Sequence, residues 1–82
     1  MSDERLLLKA RIAENKAYLR KLNIRADAHF RTIRDIVDPL TGKDFIELDL
    51  EAAKVAMDDF YRLWKEGRKL KELIEKQEQA LE

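Results

Sequence analysis

Apolar side chains in the first half of the chain recur at alternating intervals of four and three residues. This spacing is typical of a helix that packs along one neighbouring helix. The series comprises Leu8, Ile12, Asn15, Leu19, Leu22, Ala26, His29, Ile33, Ile36 and Leu40. The second half repeats the spacing at Ala53, Ala56, Phe60, Leu63, Gly67, Leu70, Ile74, Gln77 and Leu81. The pattern predicts two long α-helices.

The segment between the two series carries helix-ending and turn residues. Asp38 precedes Pro39, and a proline disfavours helical conformation at the residue before it. Two starts compete for the second helix. Asp44 with Glu47 three residues later matches a capping box, whereas Asp49 offers a simple N-cap. We prefer Asp49, with a short turn before it.

These boundaries predict an all-α fold, an antiparallel two-helix hairpin that forms a single domain over residues 1–82. Helix 1 is expected over about 3–37, an acidic connecting loop over 38–49, and helix 2 over about 50–80. At about 1.5 Å of rise per residue, the hairpin would be about 50 Å long.

An antiparallel coiled coil of these helices has one favourable register, in which the facing residue numbers add to 89. In this register Leu22 faces Gly67 and His29 faces Phe60, so that a small residue lies opposite a large one in several layers. Such complementarity is what close packing requires. We call the row of facing positions between the two helices the seam. Asn15 is a polar residue in this seam, of the kind that fixes the register of a coiled coil. Gln77 is also polar, and we attribute it to fraying near the chain end.

The same register leaves five large apolar residues outside the seam. They occupy equivalent flanking positions on one side of the loop half: Phe30, Val37, Leu50, Met57 and Trp64. Exposed patches of this kind mark partner surfaces. We expect an interface that makes a homodimer, with two hairpins overlapping at their loop halves in a four-helix bundle. A different protein partner would satisfy the same physics.

Composition narrows the possible chemistry. The chain is 45% apolar and 41% charged and has no Cys, which excludes disulfides, thiolate metal sites and thiol catalysis. It has one His and no Gly-rich phosphate loop, so we expect no enzyme activity, no catalytic residues and no cofactor. Without a secretory or membrane-spanning segment, a cytoplasmic protein with no membrane contact is expected. The leading functional hypothesis is an adaptor or regulator that acts through protein–protein contacts.

Two alternatives remain open. The net charge is zero, but residues 1–37 carry a surplus of four positive charges. A dimer could grip nucleic acid with Arg20, Lys21, Arg31 and Arg34, although a basic helix beside an acidic segment explains the surplus more simply. The weaker alternative is a metal site formed by paired His29 residues in a dimer.

The predicted shape resembles that of the Rop-like hairpins, which dimerise into four-helix bundles. The resemblance covers the whole chain at the level of shape and rests on no motif. It transfers no functional residue, because a fold does not fix a function.

Overall fold

The structure is a computed structural model that describes residues 2–82, with side chains from Asp3 onward. Two α-helices, α1 (Ser2–Val37) and α2 (Leu50–Leu81), are joined by a loop that contains two short 3₁₀ turns, Pro39–Thr41 and Phe45–Glu47. The helices pack against each other as an antiparallel hairpin, which confirms the predicted all-α fold. Neither helix within 2–82 has an apolar stretch long enough to cross a membrane.

The hairpin measures 64 × 16 × 15 Å, which is longer than the expected 50 Å. The 36 residues of α1 alone account for about 54 Å at the standard rise. The connecting loop adds the remainder because its residues extend past the ends of both helices.

The connecting loop is held by its aspartates. Asp38 Oδ1 accepts a hydrogen bond from the backbone N–H of Leu40 at 2.9 Å. Asp49 Oδ1 accepts one from the N–H of Ala52 at 3.0 Å, which confirms Asp49 as the N-cap of α2. Asp44, the competing candidate, makes no side-chain capping bond.

The core is the seam between the two helices, as the spacing predicts. The buried residues are all seam positions: Ile12, Leu22, Ala53, Ala56, Leu63 and Ile74. The other seam positions are half-buried, with one exception. Leu40 is 91% exposed, so its assignment to the seam was wrong. The reason is that α1 ends at Val37, and the helical spacing does not continue into the 3₁₀ turn.

The contacts between the helices scatter around the predicted register. Asn15 Nδ2 donates a hydrogen bond to Gln77 Oε1 at 3.0 Å, a pair whose residue numbers add to 92. Tyr18 Oη donates one to Glu66 Oε1 at 2.6 Å, a pair that adds to 84. The mean of these two sums is 88, close to the predicted 89, while individual side chains reach into the layer before or after their own.

The hydrogen bond from Asn15 corrects the interpretation of Gln77. Gln77 lies inside α2, is half-buried and shares its amide with Asn15, so it is not a frayed end residue. This single hydrogen bond joins the two amides across a seam whose other polar side chain is His29. The bond is partly shielded from water, so it favours the register that brings the two amides together.

Tyr18 lies at the edge of the seam and bridges the two helices. Its hydrogen bond to the Glu66 carboxylate, reinforced by the negative charge of that carboxylate, raises the pKa of Tyr18 above its ordinary value. The bond favours the protonated phenol because an ionised oxygen has no proton to donate.

Candidate protein-interaction face

The five apolar residues predicted to form an interface are all partly exposed. Phe30, Val37, Leu50, Met57 and Trp64 are between 44% and 52% exposed. We call this set the apolar patch. Its residues belong to the half of the hairpin next to the loop, and the heptad spacing within each helix places them at equivalent flanking positions of the seam.

Phe30 connects the apolar patch to the core. Its ring centroid lies 6.3 Å from that of Phe60, and the two rings are tilted by 48°. This is a favourable aromatic geometry, and Phe60 is itself a half-buried seam residue. One side of Phe30 therefore packs against the hairpin while about half of the side chain remains available for another surface.

Trp64 packs against residues of its own helix. The Tyr61 ring stacks on it at 5.6 Å with an interplanar angle of 22°. The Arg68 guanidinium carbon lies 5.1 Å from the Trp64 ring centroid, within the range of a cation–π interaction. These neighbours lie one turn before and one turn after Trp64 on the surface of α2. They hold the indole in place without covering it.

A groove of about 500 Å³ opens beside Trp64 between the two helices. Its walls include Leu19, Asn23 and Ala26 from α1 and Trp64, Gly67 and Arg68 from α2. We call it the Gly67 groove. Asn23 lies seven residues before Phe30, on the patch side of α1, and Trp64 belongs to the apolar patch. The groove is therefore continuous with the patch.

The Gly67 groove corrects the expectation of close packing at this layer. The atom nearest to a Cβ placed on Gly67 is Leu19 Cδ1, at 3.7 Å, which is an ordinary van der Waals distance. Gly67 is therefore not required by close approach of α1. The sequence signalled a small residue in a seam of large ones, but it could not show that space would remain.

The loop also carries apolar side chains that the sequence reasoning did not single out. Phe45 is 74% exposed and Ile46 is 81% exposed, and both belong to the second 3₁₀ turn. The signal that could have identified them is two adjacent large apolar residues within an acidic loop. They lie outside the apolar patch.

The proposed nucleic-acid contacts are spread along α1. Arg31 Nε lies 3.0 Å from Asp27 Oδ2, and an Arg34 guanidinium nitrogen lies 3.7 Å from Asp35 Oδ1. Arg20 and Lys21 are exposed. Two of the four positive charges thus have a carboxylate of the same helix beside them. Nucleic-acid binding stays a prediction, tested by binding to mixed duplex DNA or RNA at low salt.

The proposed metal ligand His29 is half-buried in the seam. Over the part of the chain that the structure describes, no group of three or more His, Cys, Asp or Glu side chains is arranged to hold a metal ion. A site made of two His29 residues would need a second copy of the chain, so it also stays a prediction.

Comparisons of the chain with protein-family models, with curated proteins and with solved structures give no match.

Proposed function

We propose that the protein is a non-enzymatic helical hairpin that associates with a second copy of itself through the apolar patch, and that it acts as an adaptor or regulator through protein–protein contacts. The observation that carries the proposal is the patch itself. Five large apolar side chains, including Phe, Met and Trp, are about half exposed in the loop half of the hairpin, at positions that the heptad spacing makes equivalent.

The shape of the hairpin supports the need for a partner. Its accessible surface is 6934 Å², whereas a compact monomer of its 9.7 kDa mass would expose about 5,100 Å². Its radius of gyration is 18.5 Å, compared with about 12 Å for a compact chain of 82 residues. One seam between two helices leaves much of the apolar surface in water, and a second layer would cover it.

The excess surface is large enough for a stable interface. It amounts to about 1,800 Å² by this comparison, and a standard protein–protein interface takes about 800 Å² from each partner. A two-fold homodimer needs only one patch that fits itself, and it is the commonest soluble oligomer. A bundle of four helices would result.

Substitution of the patch tests the proposal. In the double variant Phe30→Asp/Trp64→Asp, two charges would have to be buried in the interface, which is costly without partners for them. We expect size-exclusion chromatography with light scattering to give a monomer for this variant and a dimer for the unmodified chain. We also expect the variant to melt at a lower temperature.

A matched control is available on the outer face of the hairpin. Ile24 and Val55 are more exposed than the patch residues and lie away from them, so Ile24→Asp/Val55→Asp adds the same charge at the same number of helical sites. This variant should remain dimeric. If the patch variant keeps the mass and melting curve of the unmodified chain, the apolar patch is not the association surface.

A further inference from the structure

The connecting loop presents an ordered apolar projection. Phe45 and Ile46 lie in a 3₁₀ turn that is closed by a hydrogen bond from the N–H of Glu47 to the carbonyl of Asp44, at 2.9 Å. A second bond, from the N–H of Leu48 to the carbonyl of Phe45, measures 3.2 Å. Both apolar side chains are more exposed than any residue of the apolar patch. They therefore remain uncovered by the hairpin that carries them.

The Gly67 groove is a recess on the same molecule that can receive apolar side chains. Its apolar lining comes from both helices and includes Leu19, Leu22, Ala26, Phe60 and Leu63. Gly67 has no side chain, so it leaves space at this point of the lining. Its volume of about 500 Å³ lies within the range of pockets that accept bulky apolar groups. The hairpin thus carries both a projection and a recess, as a self-complementary interface requires.

The projection and the recess lie at similar distances from the centre of the apolar patch, measured along the hairpin. Met57 is the middle of the three patch residues on α2, which are spaced by seven. With a two-fold axis at Met57 and the loops at opposite ends, α2 runs antiparallel to its copy and facing residue numbers add to 114. Leu50 then faces Trp64. Phe45 and Ile46 precede Leu50 in the loop, and counted at the helical rise they would reach the level of residues 68–69, which is the level of the Gly67 groove to within about one helical turn.

The charges distinguish this arrangement from a dimer with both loops at the same end. Residues 38–51 contain five acidic and one basic residue, a net charge of −4. Residues 65–71 contain four basic and one acidic residue, a net charge of +3. If the loops lay at the same end, the two acidic segments, each with a net charge of −4, would lie beside each other. With loops at opposite ends, each acidic loop lies beside the basic segment of the other copy. Complementary potentials favour the second arrangement.

We propose that Phe45 and Ile46 of a second copy of this chain insert into the Gly67 groove, so that two hairpins associate with their loops at opposite ends and each loop docks on the other copy. The inference rests on the proposed function, since it specifies how the homodimer is arranged. The overlap ends where the apolar side of α2 ends, because the next equivalent positions after Trp64 are Lys71 and Glu78.

Spin labels measure the arrangement directly, and the absence of Cys lets one cysteine be introduced at a time. Asp58 and Glu72 are exposed and lie two heptads apart on the same face of α2. With opposite loops, the two labels of Asp58→Cys should be close along the bundle, and those of Glu72→Cys separated by about 45 Å along it. Similar short separations for both variants would mean a dimer with loops at the same end and would overturn the inference alone. No dipolar coupling between copies for either variant would overturn the dimer as well.

Two substitutions test the docking residues. Ile46→Asp alters only an exposed loop side chain, and it should raise the dimer dissociation constant at least about tenfold, because one apolar contact is lost at each of two docking sites. Ile24→Asp, at a site 72% exposed compared with 81% for Ile46, should leave the dissociation constant unchanged. Gly67→Leu should also weaken the dimer by filling the groove, although leucine favours the helix more than glycine does. If Ile46→Asp and Gly67→Leu both dimerise as the unmodified chain does, the loop does not occupy the groove.

Discussion

The two glycines of the chain should respond in opposite directions to replacement by alanine. Gly67 is inside α2, where glycine costs about 1 kcal/mol relative to alanine. The new methyl group would meet Leu19 at 3.7 Å, an ordinary contact, so no strain offsets the gain. Gly67→Ala should stabilise the hairpin by about 1 kcal/mol, which for a chain of this size corresponds to a rise of about 4–8 °C in Tm.

Gly42 provides the contrasting case. Its φ of +73° lies in the left-handed region, which costs other residues about 1–2 kcal/mol. No atom lies within 4 Å of a Cβ placed there, so the effect belongs to the backbone and not to a steric clash. Alanine also lowers the conformational entropy of the unfolded chain, which stabilises the folded state by about 0.4–1 kcal/mol. Gly42→Ala should therefore destabilise the hairpin by about 1 kcal/mol.

Urea unfolding followed by circular dichroism measures both effects as shifts in midpoint with little change in slope. Each variant is unfolded at several protein concentrations, because association adds a concentration-dependent contribution to stability that must be separated from the effect on the helix. A loss of stability in Gly67→Ala that persists at the lowest concentration would contradict the packing described for this layer. Equal shifts for both glycines would contradict the assignment of Gly42 to a left-handed turn.

Three further substitutions test local features. Asp49→Ala removes the N-cap of α2 and should cost about 1 kcal/mol in urea unfolding, whereas Asp44→Ala should change stability by less than about 0.5 kcal/mol. Asn15→Leu removes the hydrogen bond to the part-buried Gln77 amide and should cost about 0.5–1.5 kcal/mol, and adding Gln77→Leu should recover most of this loss. Tyr18→Phe should remove one tyrosine ionisation from an alkaline absorbance titration, that of the phenol whose pKa the Glu66 carboxylate raises above its ordinary value. A raised pKa stabilises the fold below the pKa of the unfolded chain, and this contribution is lost as the pH rises through the folded-state pKa.

The sequence was sufficient to predict the helices, their ends and the mean register. Pro39 and Asp49 act locally on the backbone, so the residues around them determine where α1 ends and α2 begins. The repeating seam positions predicted the buried core for a similar reason, because burial follows the helical period. Leu40 was misassigned because it continues the heptad spacing although the helix ends before it.

Features that depend on how side chains lean were not predictable in the same way. The register placed Asn15 opposite Ile74, but its amide reaches along the seam to Gln77. The register determines the position of each Cα atom along the helix axis. A long side chain can still extend along the axis and contact a residue one turn away. The Gly67 groove escaped prediction because its volume depends on where the surrounding side chains end, including Trp64, which packs with Tyr61 and Arg68 on α2.

The apolar patch and the elongated shape of the hairpin both lead to the claim that this chain needs a second copy of itself. Sedimentation equilibrium of the unmodified protein over a range of concentrations tests that claim most directly. We expect a mass of twice the 9.7 kDa of one chain at micromolar concentration, with dissociation on dilution. A mass of 9.7 kDa at every concentration, with the hairpin still folded, would contradict self-association through the apolar patch.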